Sequence, residues 1–338
     1  MMNQAGLFDW HERFEKLNDR GDPLVKLNEV MDWSVFAADL KRLRDKERKS
    51  RAGRKPFDAI LMFKILVLQS LYNLSDDQTE FQIRDRLSFM RFLHLSLNDK
   101  VPDAKTIWDF RNLLTEAGLA QKLFSRFDTF LRKNGFSAKK GQIVDASIVH
   151  APKQRNRRDE NKQIKDGEIP EDWDENKQRQ KDTDARWVKK NGRNHFGDTN
   201  HIEIDVQHKL IRDFEVTDAA THDSQVFEQI LDQKNSSKDV WADSAYRSED
   251  KLDYLEGHGF REHIQRKGCR YKILTKREKA GNHTRSKTRS RVEHIFGVMA
   301  QRAGNLLLRS IGISRAKTKI ELRNLAYNID RYCMLMTT

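Results

Sequence analysis

The sequence predicts an α/β protein in which an all-α region precedes a domain built on a mixed β-sheet. Before Gly135 the apolar residues recur at helical spacing, whereas after it short apolar runs alternate with helical segments. The length of 338 residues suits two domains of ordinary size. We therefore expect a helical domain at 1–140 and a sheet domain at 141–338.

The N-terminal region contains one strongly apolar segment. Pro56 is placed to begin a helix with Asp58 in its first turn, and Asn73 and Ser75 are placed to end it. Its apolar residues lie almost all round the helix, which predicts a buried, central position. A second helix is predicted over 77–95.

Two further helices are predicted on either side of Gly118, over 103–114 and 119–133. A helix, a short turn and a second helix form the outline of a DNA-binding helix-turn-helix. An ordinary helical hairpin has the same outline and is the commoner structure. For a helix-turn-helix, the candidates to face a DNA groove are four basic side chains: Arg111, Lys122, Arg126 and Arg132.

The region after Gly135 has a strand pattern interrupted by helices. Five strands are expected, at 142–149, 201–206, 210–216, 239–243 and 260–264. Helices are expected at 223–231, 248–258, 285–302 and 317–336. The three residues between the second and third strands are few enough for a hairpin. This order of elements predicts a mixed sheet.

Positive charge is concentrated in one segment. The chain carries a formal net charge of +13, and residues 266–291 contain eleven basic residues and one acidic residue. Glycine and Ser/Thr within the segment predict that much of it is loop. A solvated loop is the ordinary interpretation, but the concentration favours phosphate contact, because neutralising phosphates releases counterions. The candidates for DNA contact there are Lys272, Lys276, Arg285, Lys287, Arg289 and Arg291.

Residues 151–193 form a second charged segment of a different kind. It has thirteen basic and ten acidic residues and almost no aliphatic ones. Such a segment buries too little apolar area to offset its ordering entropy. We expect an insertion or mobile loop, with Trp173 and Trp187 as its anchors.

Several classes of protein are disfavoured by composition. Cys269 and Cys333 are the only cysteines, which excludes a disulfide framework. There is no glycine-rich phosphate-binding motif, so no nucleotide cofactor is expected. No apolar run reaches the roughly 20 residues of a membrane helix, and the N-terminus is too polar for a signal peptide. We expect a soluble protein of a reducing compartment.

Two aspartates occupy positions where a sheet core is expected. Asp145 lies within Ile-Val-Asp-Ala-Ser-Ile-Val, and Asp243 ends Val-Trp-Ala-Asp. An isolated charge in an apolar strand costs several kcal/mol unless it is paired or binds a cation. For either aspartate alone, capping of the next loop is an equally good explanation. Glu293 is a third candidate, although a helical Glu flanked by Arg is usually a surface ion pair.

Three carboxylates beside a basic segment suit metal-dependent cleavage of a phosphodiester. Mg²⁺ prefers carboxylate ligands and retains several waters. Two such ions about 3.5–4 Å apart can hold the attacking and leaving oxygens of an in-line displacement. We therefore expect two Mg²⁺ ions, for which Mn²⁺ substitutes.

At these carboxylates the sequence resembles a known family. Val144-Asp145-Ala146, Ala242-Asp243-Ser-Ala-Tyr246 and Arg289-Ser-Arg-Val-Glu293 resemble the three acidic motifs of bacterial insertion-sequence transposases of the DDE type, specifically the insertion-sequence-five family. Segments such as Gly53-Arg-Lys-Pro-Phe, Asn194-His-Phe-Gly197 and Thr221-His-Asp-Ser224 are also similar. The resemblance covers roughly residues 50–330.

The resemblance implies a ribonuclease H-like catalytic domain preceded by a helical domain that binds terminal inverted repeats. It implies that Asp145, Asp243 and Glu293 form a metal-binding catalytic triad, and Arg289 matches a basic position of the family. Ala300 departs from the family, in which Lys is common at that position. The basic residues that could replace the missing phosphate contact are Arg302, Lys189, Lys190 and Arg193.

These observations predict a transposase that cleaves element ends and joins them to target DNA. Its expected partners are double-stranded DNA and further copies of the chain, because two ends must be paired, and its expected location is the bacterial cytoplasm at the nucleoid. Two alternatives stay open: a DNA-binding regulator or inactive relative, and a metal-dependent nuclease that cleaves without joining.

Overall fold

The computed structural model describes residues 9–43, 55–190, 192–269, 273–303 and 307–337. The helices of the first region are α1 (Asp9–Asp19), α2 (Pro23–Val30), α3 (Ala37–Arg42), α4 (Ala59–Tyr72), α5 (Asp76–Asp85), α6 (Leu87–Leu93), α7 (Ala104–Glu116) and α8 (Leu119–Lys133). The strands are β1 (Gln142–His150), β2 (Arg186–Lys190), β3 (Arg193–Asp205), β4 (Ile211–Asp218), β5 (Asp239–Ala242) and β6 (Arg261–Ile264). The later helices are α9 (Arg158–Lys165), α10 (Glu175–Gln180), α11 (Glu249–Gly257), α12 (Lys276–Ala303) and α13 (Ile313–Met336).

The six strands form one mixed sheet in the order β2-β3-β1-β5-β6, with β4 also paired to β3. Strand β3 is antiparallel to β1 and β4, whereas β5 is parallel to both β1 and β6. This is the ribonuclease H-like arrangement, so the predicted fold class, a helical region followed by a mixed-sheet domain, is confirmed.

The buried helix α4 follows from its capping and its composition. The Asp58 side chain accepts a hydrogen bond from the Leu61 backbone N–H, which makes Asp58 the N-cap rather than a residue of the first turn. Asn73 ends the helix in a left-handed conformation. Apolar residues lie on almost every face of the helix, and nine of its 14 residues are buried.

One hydrophobic core joins the helical region to the sheet. It runs from Leu24 in α2 to Cys333 in α13, and it includes residues of β1, β3 and β4. The ring of Phe124 in α8 meets that of Phe214 in β4 edge-on, with 4.7 Å between the centroids. Because its apolar face is covered in this way, α8 forms a packed hairpin with α7 rather than a free-standing recognition helix.

Three predicted elements were wrong in detail. The helix over 77–95 is broken at Arg86, whose backbone is extended, into α5 and α6. The segment 223–231 contains only a short 3₁₀ turn, Asp223–Gln225. The basic segment 266–291 is largely helix rather than loop from Lys276 onward, because α12 continues through it without interruption.

The charged segment 151–193 contains α9, α10 and β2. Its centre is Glu160, whose carboxylate accepts hydrogen bonds from the Trp173 indole N–H at 2.8 Å and the Lys177 ammonium at 2.8 Å. Trp173 is buried, as expected of an anchor, whereas Trp187 is 44% exposed and packs on Phe196. Polar contacts therefore compensate for the missing aliphatic residues. None of the described helices is both long and apolar enough to cross a membrane.

Candidate active site

Asp145 lies within β1, and Asp243 directly follows β5, the parallel strand beside it. The register of β1 and β5 pairs Ile143 with Trp241, and each aspartate comes two residues after this pair. The charge of Asp243 acts on Asp145, so the two carboxylates are near each other. Asp243 follows the last residue of β5 and accepts a hydrogen bond from the Ala245 backbone N–H at 2.7 Å.

Glu293 is connected to Asp145 by Arg289, which pairs with both carboxylates. The guanidinium of Arg289 in α12 donates from Nη1 to Asp145 Oδ2 and from Nη2 to Glu293 Oε1, at 2.8 Å in each case. The two carboxylates are therefore separated by the span of a single guanidinium. The Glu293 side chain is 59% exposed, whereas that of Asp145 is 15% exposed.

Burial and neighbouring carboxylates raise the pKa of two groups at this site. Burial raises the pKa of Asp145 to about 6, and the nearby charge of Asp243 adds to the rise, although Arg289 and Lys190 oppose it. Burial also raises the pKa of Tyr246 well above its usual range, and three carboxylates, those of Asp223, Asp145 and Asp243, contribute. The Tyr246 hydroxyl is buried and has no hydrogen-bond partner among the described residues.

Three residues of this site were not among the predicted site residues: Asp223, His201 and Tyr246. Asp223 Oδ1 lies 3.7 Å from Nδ1 of His201, and its Oδ2 lies 3.8 Å from Nζ of Lys190. His201 is fully buried, and burial lowers its pKa. The available clues were the Thr221-His-Asp-Ser224 segment for Asp223 and the position next to Asp243 for Tyr246.

The three carboxylates are of the type that binds divalent cations, but they are not grouped around a common point. Among the residues that the structure describes, no three His, Cys, Asp or Glu side chains are grouped so as to hold a metal ion. The reason is visible at Asp145 and Glu293, between which the guanidinium of Arg289 already supplies the positive charge. Hard carboxylate oxygens are nevertheless the ligands that Mg²⁺ and Mn²⁺ favour. Asp145, Asp243 and Glu293 therefore offer the kind of ligand that such an ion takes.

Two family models match the chain. A model described as a Transposase domain (DUF772) matches residues 12–113, and a Transposase DDE domain matches residues 137–329. The chain belongs to the DDE transposase family. It is thus a polynucleotidyl transferase of the DDE type, as its acidic motifs predict, and divalent metal ions are general for this family.

The solved structures include one to which this transposase is similar. It is the piggyBac transposase, determined by cryo-electron microscopy as a synaptic complex with hairpin DNA. The two chains are 12% identical and superpose with a TM-score of 0.45, over 93% of this chain and 75% of that one.

The basic residues predicted to contact DNA on α12 share a helix with Glu293 of the transposase. Lys276, Lys287 and Arg291 are exposed, and Arg285 is half-buried. Arg291 also donates to the Val206 carbonyl at 3.1 Å, which fixes its position against the end of β3. Lys189 and Arg193 are exposed on β2 and β3, whereas Arg302 is paired with Asp330 at 2.7 Å. Lys272 lies outside the described residues.

The basic residues predicted on α7 and α8 are engaged within the protein. Arg111 is buried and donates to both carboxylate oxygens of Asp76, at 2.6 and 2.7 Å, so the expectation that it faces a DNA groove was wrong. Lys122 and Arg126 both pair with the buried carboxylate of Asp39, at 2.9 and 2.8 Å. Arg132 is held in the same way between two carboxylates, those of Asp128 and Asp232. These contacts serve the packing of α3, α7 and α8.

Proposed function

We propose that this transposase binds the terminal inverted repeats of an insertion sequence, cleaves at the element ends and joins them to target DNA. The observation that carries the proposal is the position of Asp145 in β1 and of Asp243 at the end of the neighbouring parallel strand β5, with Glu293 linked to Asp145 through Arg289. Three carboxylates from separate parts of the sequence then face one site beside a helix rich in basic residues.

In the proposed site, Asp145, Asp243 and Glu293 hold two divalent cations, Mg²⁺ or Mn²⁺. When bound, such ions supply Lewis acidity for in-line displacement at phosphorus. The raised pKa of Asp145 reflects a buried carboxylate whose charge is under-compensated, and a cation would lower it. Binding of cations and the ionised form of Asp145 therefore favour each other.

The proposed chemistry has two displacements. Water attacks the phosphorus at the element end, and the bond to the 3′ oxygen breaks, which leaves a 3′ hydroxyl on the element and a 5′ phosphate on the flanking DNA. That hydroxyl then attacks a phosphorus of the target strand and displaces the target's own 3′ oxygen. Exposed cations on β2 and α12, among them Lys189, Lys287 and Arg291, would hold the strands through their phosphates.

Pairing of two element ends implies more than one copy of the chain. Each site acts on one strand at a time, so we propose a homodimer or larger assembly on the DNA. Because its proposed substrate is the DNA of an insertion sequence, we also propose that the protein acts at the bacterial nucleoid. Neither proposal requires a nucleotide cofactor.

The function is tested by cleavage of labelled element ends with Mg²⁺, with products sized on a denaturing gel. We expect Asp145→Asn and Glu293→Gln each to abolish cleavage while DNA affinity stays within a few-fold. Asp253→Asn is a matched control, because Asp253 is an exposed carboxylate of α11. Cleavage that persists in both site variants would contradict the catalytic assignment. Cleaved products without joined ones would favour the nuclease, and binding without cleavage by the native protein would favour a regulator.

A further inference from the structure

A basic cleft lies between α7, the segment that follows β1 and the beginning of α13. Its volume is about 690 Å³. Trp108 and Ile311 contribute apolar surface, and Ser310 and Gln154 contribute polar atoms. Most of its charged lining is positive: besides Arg111, which is paired with Asp76, six basic side chains line it, namely Lys153, Arg155, Lys181, Arg309, Arg315 and Lys319.

The positive charge of the basic cleft is not balanced by acids. Among the described residues, none of these six side chains forms an ion pair with a carboxylate. Asp76 lines the cleft but is bound by Arg111, and Asp182 accepts hydrogen bonds from backbone N–H groups, including that of Gly312. The two acids are thus already committed to other donors. Lys181 and Lys319 donate hydrogen bonds to backbone carbonyls, which leave their charge uncompensated, so an anionic ligand would meet six cations without a carboxylate partner.

Two further features of the basic cleft favour an anionic ligand. Burial, together with the nearby charges of Arg111 and Arg323, lowers the pKa of Lys319 to about 8, although Asp76 opposes this. The hydroxyl of Ser310 and the side-chain oxygen of Gln154 are buried without a hydrogen-bond partner in the described residues. A serine hydroxyl can donate to a phosphate oxygen, and an anion beside Lys319 would stabilise its charged form.

One wall of the basic cleft is an indole between two cations. The ammonium of Lys105 lies 3.9 Å from the Trp108 ring centroid, and the guanidinium of Arg315 lies 5.9 Å from it. These contacts bring both cations close to the apolar surface of the indole. An apolar surface flanked by cations suits a sugar-phosphate backbone, which alternates apolar sugars with phosphates.

The basic cleft is connected to the candidate active site by a single strand. Strand β1 carries Asp145 and ends at His150, directly before the cleft residues Ala151 and Lys153. From Asp145 to Ala151 the strand covers about 20 Å, at 3.3 Å per residue. At a rise of 3.4 Å per base pair, this is the length of about six base pairs of B-form DNA.

We propose that the basic cleft binds the phosphate backbone of a DNA duplex within about six base pairs of the phosphate at the carboxylates. Six cations drawn from four separate segments exceed what a single small anion would neutralise, and this favours a polyanion. The inference rests on the proposed function, because it requires that the protein binds DNA. It adds a contact surface that lies apart from α12 and the catalytic carboxylates.

The experiment measures the salt dependence of duplex DNA binding by the full-length protein. Arg155→Gln/Arg309→Gln neutralises two exposed cations of the basic cleft. Lys133→Gln/Lys234→Gln is the matched control, because it removes the same charge from exposed positions that do not line the cleft. We expect the cleft variant to bind on the order of tenfold more weakly and to flatten the slope of log K against log salt by about 2. Thermal unfolding establishes that both variants fold.

Each outcome bears on one proposal or on both. A flatter slope in the cleft variant with an unchanged slope in the control supports the basic cleft. If the native protein binds and cleaves DNA while both variants match it, the cleft proposal is overturned and the proposed function stands. If the native protein binds no duplex DNA at any salt concentration, both are overturned. Equal flattening in the two variants would show a net-charge effect and would also overturn the cleft.

Discussion

Arg289 joins Asp145 to Glu293, with 2.8 Å from its guanidinium to each carboxylate. The contact between Arg289 and Asp145 links helix α12 to strand β1 across 144 residues of sequence. The contact between Arg289 and Glu293 lies within α12, four residues apart. We infer that this protein cation lies where the two carboxylates would hold a metal ion. The same arginine would then both link the carboxylates and compete with the metal for them.

Removal of this cation should strengthen metal binding by the free protein. In Arg289→Gln, we expect the affinity for Mn²⁺ without DNA to rise by about tenfold or more, because a unit charge next to two carboxylates is worth several kcal/mol. Titration calorimetry measures the dissociation constant. Arg285→Gln, one helical turn earlier, is the control. An unchanged constant in Arg289→Gln would mean that the guanidinium does not compete with the ion.

The buried Asp198 should make stability depend on pH. Burial, together with the charges of Asp182, Asp218 and Asp184, raises the pKa of Asp198 to about 7. The folded state then holds a proton that the unfolded state releases near pH 4, so this contribution to stability is lost as the pH rises from about 4 to about 7.

Asp198→Asn removes this titration. We expect the variant to gain stability over the native protein as the pH rises through that window, by at most about 4 kcal/mol above pH 7. Chemical denaturation at several pH values measures the free energy of unfolding. A difference that stays constant with pH would show that Asp198 titrates alike in the folded and unfolded states.

Arg111 should act on stability rather than on DNA binding. Arg111→Gln leaves the partly buried Asp76 carboxylate without its main partner, and loss of one member of such a pair costs about 3–5 kcal/mol. The double variant Arg111→Gln/Asp76→Asn should recover much of this loss. Denaturant unfolding gives the coupling free energy. A variant of native stability with weakened DNA binding would restore Arg111 as a DNA contact.

The basic residues of α12 should set part of the salt dependence of DNA binding. Neutralisation of Arg285, Lys287 and Arg291 to Gln is expected to flatten the slope of log K against log salt by about 2 to 3. Lys133, Lys139 and Lys234 are exposed basic residues elsewhere, and their neutralisation to Gln is the control. A slope as steep as that of the native protein would remove the phosphate role of α12.

Gly197 should tolerate no side chain. Its φ is +154°, and a Cβ there would lie 2.1 Å from the Val149 carbonyl oxygen of the adjacent strand. We expect Gly197→Ala to lose several kcal/mol or to fail to fold, because backbone would have to move. Gly297→Ala is the matched control: it lies within α12 with open space around it, and should gain about 1 kcal/mol from helix propensity. Equal stability of the two variants would contradict the close approach at Gly197.

The helices and strands with strong local patterns could be predicted from the sequence. Helix α4 and strand β1 fall where periodicity and capping residues place them, because these depend on neighbours along the chain. The prediction of a loop over the basic segment was wrong, because glycine and serine weaken a helix without forbidding it. Packing of Val292 and Ile295 in the core stabilises α12. The spacing of apolar residues also did not predict the break between α5 and α6 at Arg86.

The sequence by itself determined the family, through three acidic motifs, and the residue types from which a site could be built. Only the tertiary structure decided which charges are free. Arg111, Lys122 and Arg126 are bound by carboxylates from other segments, whereas Lys153, Arg155 and Arg309 meet in one cleft without such partners. The reason is that an ion pair depends on distance in space, and residues 35 or more apart in sequence become neighbours only when the chain has folded.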